Sequence, residues 1–130
     1  MQKKAIRTIT KSRYTAPTSQ LFAQLKILPL EHLITLNKGI LIHSIYYKTS
    51  PPSLHGIWPT NQQRGIDRDL RDAHQLYIPF ARTDHVKRLP YFSFPKTWND
   101  LPDCKLSNNT TTFKISLKSH LLSLTAAVPD

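Results

Sequence analysis

The chain has 130 residues, the size of a single domain, and its 10 prolines against 3 glycines predict short elements joined by rigid turns. Its 18 lysines and arginines against 8 acids give a net charge of +10, the balance expected of a polyanion-binding protein or of a merely soluble basic one. A single cysteine, Cys104, excludes an internal disulfide and a cysteine-based zinc site, and no apolar run reaches the ~18 residues that a membrane span needs. We therefore expect a nuclear or cytoplasmic protein in a reducing compartment, neither secreted nor bound to a membrane.

The positive charge is concentrated in the first half of the chain. Residues 1–60 hold 8 basic and 1 acidic side chain, residues 61–100 hold 7 and 5, and residues 101–130 hold 3 and 2. No acid precedes Glu31. This N-terminal composition favours contact with phosphate backbones, and it is also the composition of a mitochondrial transit peptide, which stays an alternative.

Three helices are predicted in a basic helical segment, residues 1–50. The first covers residues 2–12 and has no capping signal at its start, as expected of a reading frame that begins inside a longer helix. The second begins with Thr18 as its cap. The third runs from about Leu30 to Lys48 on a broad apolar face and is stopped by Pro51-Pro52.

A proline- and aromatic-rich segment, residues 51–102, follows, and two short strands are predicted in it, at Gln75–Phe80 and Arg88–Phe94. The last segment, residues 103–130, contains a helix predicted from Thr110 to Leu124. The apolar positions of that helix are Phe113, Leu117, Leu121 and Leu124. The expected fold is mostly α with a small β element. It is a single small domain of four or five helices, and this domain can be an incomplete part of a larger fold.

The carboxylates do not form a convincing metal site. The acids concerned are Asp67, Asp69, Asp72 and Asp84. The first three alternate with Arg64, Arg68 and Arg71, whose guanidinium groups favour an ion-paired turn over a bound divalent cation. The six histidines lack the spacing of a helical zinc pair, and three glycines cannot form a phosphate-binding loop. We therefore predict no catalytic residues, no metal and no cofactor.

Two groups of cations are the candidate nucleic-acid-binding residues. The N-terminal basic patch consists of Lys3, Lys4, Arg7, Lys11 and Arg13. The aromatic basic patch consists of Arg82, Lys87, Arg88 and Lys96. The first would bind phosphates irrespective of sequence, or be a solvated helix face. The second is interleaved with Tyr91, Phe92 and Trp98, rings that suit single-stranded nucleic acid, although the core is the favoured place for Trp98.

The order of several segments resembles the tail that follows the polymerase domain in LINE-type (non-LTR) retrotransposon reverse transcriptases, notably the jockey-like group. The matching segments are QKKAIRTIT at 2–10, LFAQLKIL at 21–28, PPSL at 51–54, LYIPFART at 76–83, Lys87-Arg88, FPKTWNDLP at 94–102 and FKISLKSHLL at 113–122. The likeness covers residues 2–122. Phe94 and Val86 stand where the family usually has Gly, which puts the local turn geometry in question.

The resemblance implies a fragment without enzymatic activity, because the catalytic aspartates and the endonuclease of that family lie upstream of this tail. It implies a role in holding RNA or DNA during target-primed reverse transcription, with the upstream reverse transcriptase domain as a partner. The alternative role is a structural buttress for the polymerase thumb, with no binding activity of its own.

Overall fold

The computed structural model describes residues 1–64, 73–102 and 107–127 of the chain. Within these ranges the α-helices are α1 (Gln2–Ile9), α2 (Thr18–Leu25), α3 (Leu30–Tyr46), α4 (Asp84–Arg88), α5 (Pro90–Asp100) and α6 (Thr110–Ala127). Single 3-10 turns lie at Pro52–Leu54 and Gln62–Arg64. The mostly helical class is confirmed. The predicted small β element is not seen, because the described ranges hold no strand, only one isolated antiparallel bridge between Thr60 and Leu76.

The chain divides into two compact units. Residues 1–37 and 111–130 form what we call the terminal unit, and residues 38–110 form the central unit. The boundaries between the units fall within α3 and at the start of α6. No helix in the described part of the chain is long and apolar enough to cross a bilayer.

The terminal unit is built on the apolar faces of its helices. Its α1 contacts α2. Its buried apolar side chains are Ile6, Phe22, Leu28, Leu36, Phe113, Leu117 and Leu121. Three of the four positions predicted for the last helix are therefore core. The fourth, Leu124, lies on the same helix face but is 41% exposed. The Thr125 hydroxyl is buried but paired, 2.6 Å from Nδ1 of His32.

The first two helices differ from prediction at their ends. The helix predicted over residues 2–12 stops at Ile9, with Thr10 as its C-cap. Thr18, predicted to cap the second helix, is instead its first residue and is buried, and the N-cap position is held by Pro17 without a side-chain hydrogen bond. The proline restricts the preceding backbone and thereby sets the start of α2 without a polar cap.

Each of the first three helices ends in the same backbone motif. Lys11, Lys26 and Lys48 follow α1, α2 and α3 in the left-handed conformation, with φ of 54°, 54° and 57°. In each case the N–H of the next residue donates to the carbonyl five positions back, at 2.9, 3.0 and 2.8 Å. This is the Schellman motif, in which glycine is the usual left-handed residue. Here lysine occupies that position three times.

The central unit places the second half of α3 and helix α5 around one apolar cluster. Its buried side chains include Ile42, His43, Ile45, Leu76, Pro95, Trp98 and Leu101. The strand predicted over Arg88–Phe94 is wrong, because this segment forms the end of α4 and the start of α5. Pro90 is the first residue of α5, where a missing N–H costs no hydrogen bond. With α4 and α5, the described residues contain six α-helices, more than the four or five predicted.

The two positions at which the reverse transcriptase tail usually has glycine adopt ordinary helical backbone here. Val86 lies in α4 and Phe94 in α5, and neither has a positive φ. Phe94 packs against Trp58, with ring centroids 5.3 Å apart. A side chain is therefore accommodated at both positions, and Phe94 contributes contacts that glycine would lack.

The segment predicted as the strand Gln75–Phe80 is held by hydrogen bonds to the Asn99 side chain and by hydrogen bonds to neighbouring backbone. Oδ1 of Asn99 accepts from the Leu76 N–H at 3.0 Å, and Nδ2 of Asn99 donates to the Leu76 carbonyl at 2.9 Å. On the other edge, the Asn61 N–H donates to the Gln75 carbonyl and the Tyr77 N–H donates to the Pro59 carbonyl, both at 2.9 Å. The segment thus has partners on both sides without belonging to a sheet.

Candidate nucleic-acid interface

Four of the five cations in the N-terminal basic patch are exposed. Lys3 and Lys4 lie in the first turn of α1, Lys11 follows the helix in the left-handed position, and Arg13 lies in the linker to α2. Glu31 is the one acid in residues 1–37 and 111–127. The side chains therefore face solvent with little opposite charge in their own unit.

Arg7, the fifth member of this patch, has a structural role. Its Nε donates to the Ala16 carbonyl at 3.1 Å, and its guanidinium carbon lies 5.7 Å from the centre of the Tyr14 ring. Arg7 thereby ties α1 to the linker that follows. Tyr14 itself is 82% exposed and was missed by the sequence reasoning, although its neighbour Arg13 was a usable signal. An exposed ring beside cations is a suitable surface for a nucleobase.

The aromatic basic patch lies on α4 and α5 and the residues before them. Arg82, Arg88 and Lys96 are exposed. Lys87 pairs with Asp84 at 3.8 Å, but both side chains are at least half exposed, so water screens the pair strongly. Thr83 caps α4 by accepting the Val86 N–H at 3.4 Å. The cations of α4 stand in its last turn, where the helix dipole also favours them.

The aromatic members of this region separate into core and surface. Trp98 is 2% exposed, which confirms its interpretation as core, and Phe92 is half-buried. Tyr91 is 52% exposed and stays available for stacking. Phe80, two residues before Arg82, is 86% exposed and was not predicted as a site residue. Phe80 and Tyr91 are therefore the exposed rings that neighbour these cations in the sequence, and Trp98 is not among them.

The candidate metal ligands are not brought together in the described residues. Asp67, Asp69 and Asp72 lie outside those residues, and Asp84 is exposed beside Lys87. No group of three or more His, Cys, Asp or Glu side chains meets in residues 1–64, 73–102 and 107–127. His43 is fully buried, and its Nε2–H donates to the Ser107 carbonyl at 2.6 Å. Its ring packs on Tyr47, with centroids 4.6 Å apart, so it serves the core of the central unit.

Several polar residues of the family-like motifs make structural hydrogen bonds. Nε2 of Gln2 donates to the Leu28 carbonyl at 3.1 Å, and Oε1 of Gln2 accepts the Leu30 N–H at 2.9 Å. Gln2 therefore joins the start of α1 to both sides of Pro29. Arg7 and Asn99 act in a comparable way on other backbone segments. These three side chains are occupied in the fold, whereas Lys3, Lys4, Lys11 and Arg13 of the N-terminal basic patch are exposed.

No family model matches the chain, and no curated protein or solved structure matches it. The resemblance to the reverse transcriptase tail thus depends on the sequence motifs quoted above.

Proposed function

We propose that the chain is a non-catalytic nucleic-acid-binding module whose N-terminal basic patch holds the phosphate backbone of RNA or DNA. The observation that carries this proposal is the exposure of Lys3, Lys4, Lys11 and Arg13 in a unit with almost no acid. Such cations gain free energy by replacing the counterions condensed on a polyanion, independently of its sequence.

The positions of the lysines on α1 also support a binding role. Lys3 and Lys4 occupy the first turn, where the positive end of the helix dipole disfavours cations by about 0.3–1 kcal/mol each. Folding alone favours other residues at these two positions, and an anionic ligand would compensate for the cost.

We further propose that the chain derives from the post-polymerase tail of a LINE-type reverse transcriptase, where it would help to hold template RNA or target DNA beside the upstream polymerase domain. Two separate family-like segments, 76–83 and 94–102, are joined by the paired hydrogen bonds between Asn99 and Leu76. This contact supports the proposal because it gives the motif asparagine a physical role in linking the two segments.

The test is a titration of the purified chain into a fluorescently labelled single-stranded oligonucleotide of random sequence, followed by anisotropy at several salt concentrations. We expect binding that weakens linearly on a plot of log K against log salt, with similar slopes for RNA and DNA. An absence of binding at low salt, or a slope near zero, would contradict the proposal.

The second candidate, a structural buttress, is favoured by the outer face of α3. Leu30 is 61% exposed, and Leu33 and Ile34 are also exposed, at the spacing of one helix face. In a larger protein this stripe would pack on another element. The buttress role predicts a poorly soluble or molten isolated chain, so a cooperative melt with dispersed amide resonances would argue against it.

A further inference from the structure

The central unit contains a pocket of about 550 Å³. This volume lies within the range of small-molecule sites, on the order of 300–1,000 Å³. The pocket is lined by the end of α3, the turn that follows it, and the paired residues around Thr60 and Leu76, and it is open to solvent on one side. Its apolar lining includes the side chains of Ile42 and Ile45, so a ligand with an apolar face could replace water there.

Two aromatic rings in the lining are held in place by contacts with other rings. Tyr46 packs against Trp98 with centroids 5.4 Å apart, and Trp58 packs against Phe94 at 5.3 Å. Rings held in this way lose little freedom when a planar ligand stacks on them. Stacking on aromatic side chains accepts any nucleobase, since every base has a π face.

The polar lining is positioned as well. Oγ1 of Thr60 accepts the Gln63 N–H, and Oε1 of Gln63 accepts the Thr60 N–H, both at 3.2 Å. This reciprocal pair is a capping box, and it leaves the NH₂ group of Gln63 as the part that can donate to a ligand. Nε2–H of His55 donates to the Ser50 carbonyl at 2.9 Å, so Nδ1 is the acceptor of the neutral ring.

The charge of the lining selects for an anion. Lys48 stands at the pocket in the left-handed position that ends α3, and the lining residues that the structure describes include no acid. In addition, the indole N–H of Trp58 is buried and has no hydrogen-bond partner among the described residues. Such a donor is destabilising until a water or ligand oxygen accepts from it. The rings match the faces of a nucleobase, the amide and the imidazole match its hydrogen-bonding edge, and the cation matches the phosphate of a nucleotide.

We propose that this pocket binds one unstacked nucleotide of a nucleic-acid strand, with its base against Tyr46 and Trp58 and its phosphate near Lys48. The proposal rests on the proposed nucleic-acid-binding function and adds a base-dependent contact to it. The cations of the basic patches bind backbone charge, and the pocket adds a contact to one base beyond any stacking on the exposed rings of Tyr14, Phe80 and Tyr91. A strand with bases should therefore bind more tightly than an equally charged strand without them.

The experiment compares a short single-stranded oligonucleotide with an abasic oligonucleotide of the same length and charge, at one salt concentration. We expect the strand with bases to bind roughly tenfold more tightly. Binding of neither strand contradicts the proposed function itself. Equal binding of the two strands leaves that function intact and overturns the pocket.

Amino-acid substitutions then show which residues are responsible for the tighter binding of the strand with bases. Trp58→Ala should abolish it, and because loss of that ring could unfold the unit, Gln63→Ala provides a second variant at an exposed side chain. Gln63→Ala should weaken the strand with bases roughly two- to tenfold and leave the abasic strand unchanged. Gln24→Ala, an exposed glutamine of α2, is the matched control. A preference that survives in folded Gln63→Ala and Trp58→Ala proteins lies elsewhere and overturns the proposal.

A titration with adenosine monophosphate separates a free nucleotide from a nucleotide within a strand. If the mononucleotide by itself shifts the Trp58 indole N–H and Gln63 amide resonances, the pocket binds nucleotides whether or not they belong to a strand. Movement of the same resonances with the oligonucleotide only assigns it to strands. Movement of neither resonance with either ligand contradicts the proposal.

Discussion

The side-chain amides of Asn99 and Gln2 take the place that a peptide group usually has as hydrogen-bond partner of the backbone. Each presents its oxygen to a backbone N–H and its nitrogen to a backbone carbonyl, at distances from 2.9 to 3.1 Å. A glutamine or asparagine can do this because its amide has the same donor and acceptor as a peptide group. Leu76, the partner of Asn99, is buried, so water cannot take over these bonds.

We predict that Asn99→Ala destabilises the protein by about 2 kcal/mol or more, because two backbone groups of buried Leu76 lose their partner. Urea denaturation measures the change. Asn108→Ala, at an exposed position, is the control and should stay within roughly 0.5 kcal/mol of the wild type. Equal stabilities of the two variants would show that the Asn99 bonds contribute nothing.

Tyr47 gives the fold a dependence on alkaline pH. Burial raises the pKa of its phenol above the ordinary value of 10.0, and the neighbouring Tyr46 raises the pKa further. The folded state therefore disfavours the phenolate. The stability that follows from this is complete below pH 10.0 and is lost as the pH rises through the higher pKa of the folded state.

The check is the urea midpoint of the wild type and of Tyr47→Phe at about pH 9 and about pH 11. We expect the wild type to lose more stability than the variant over this interval, since the variant has no phenol to ionise. A loss of the same size in both proteins would contradict the role of Tyr47.

The helix ends illustrate a conflict between local backbone preference and charge. Lysine at the left-handed position ends α1, α2 and α3. A cation is favourable at a helix C-terminus because of the dipole, but the left-handed backbone favours glycine. The backbone term is the larger of the two, since the dipole contributes about 0.3–1 kcal/mol and the conformational cost is roughly 1–2 kcal/mol.

We predict that Lys11→Gly and Lys26→Gly each stabilise the protein by about 0.5–1 kcal/mol, which thermal unfolding would register as a higher Tm. Lys4→Gly, inside α1, should have the opposite sign, with a loss of up to about 1 kcal/mol. Lower Tm values for both helix-end variants would mean that the lysine side chains make contacts worth more than the backbone strain.

The sequence predicted the elements whose signal is local and periodic. Helices α3 and α6 were placed to within a few residues, because their apolar positions recur every three or four residues over several turns. Helices α4 and α5 were missed because Arg88–Phe94 was interpreted as a strand that ends at Pro95. Pro90 instead starts α5 at the position that tolerates proline, and buried Pro95 is held within the helix by the core around it.

The candidate site was predicted to a similar extent. Exposure of Lys3 and Lys4 follows from the apolar stripe of α1, whereas the burial of Trp98 in α5 removed one of the rings considered for stacking. The pocket had no sequence signal. It depends on the pairing of Thr60 with Leu76, which are distant in the chain and carry no pattern that specifies their meeting.

Charge is the property that belongs to the whole molecule. Residues 1–37 and 111–130 hold eight basic and two acidic side chains, and residues 38–110 hold ten and six. Both units are thus positive, and Lys87–Asp84 is the one ion pair among the residues that the structure describes. Repulsion of this kind opposes compaction and favours association with a polyanion.

If binding were due to net charge alone, any three exposed lysines of the terminal unit would be equivalent. We expect unequal contributions instead, because Lys3, Lys4 and Lys11 lie in the N-terminal basic patch and Lys26, Lys114 and Lys118 do not. The two sets are matched, because each removes three exposed charges and each includes one left-handed lysine.

The decisive measurement is the salt slope of single-stranded oligonucleotide binding for two triple variants, one with Gln at 3, 4 and 11 and one with Gln at 26, 114 and 118. We expect the slope of the first to become less negative by about 2, at roughly 0.7 per lost phosphate contact, and the slope of the second to change by less than half as much. Equal slopes for the two variants would contradict the assignment of the N-terminal basic patch as the phosphate-binding surface.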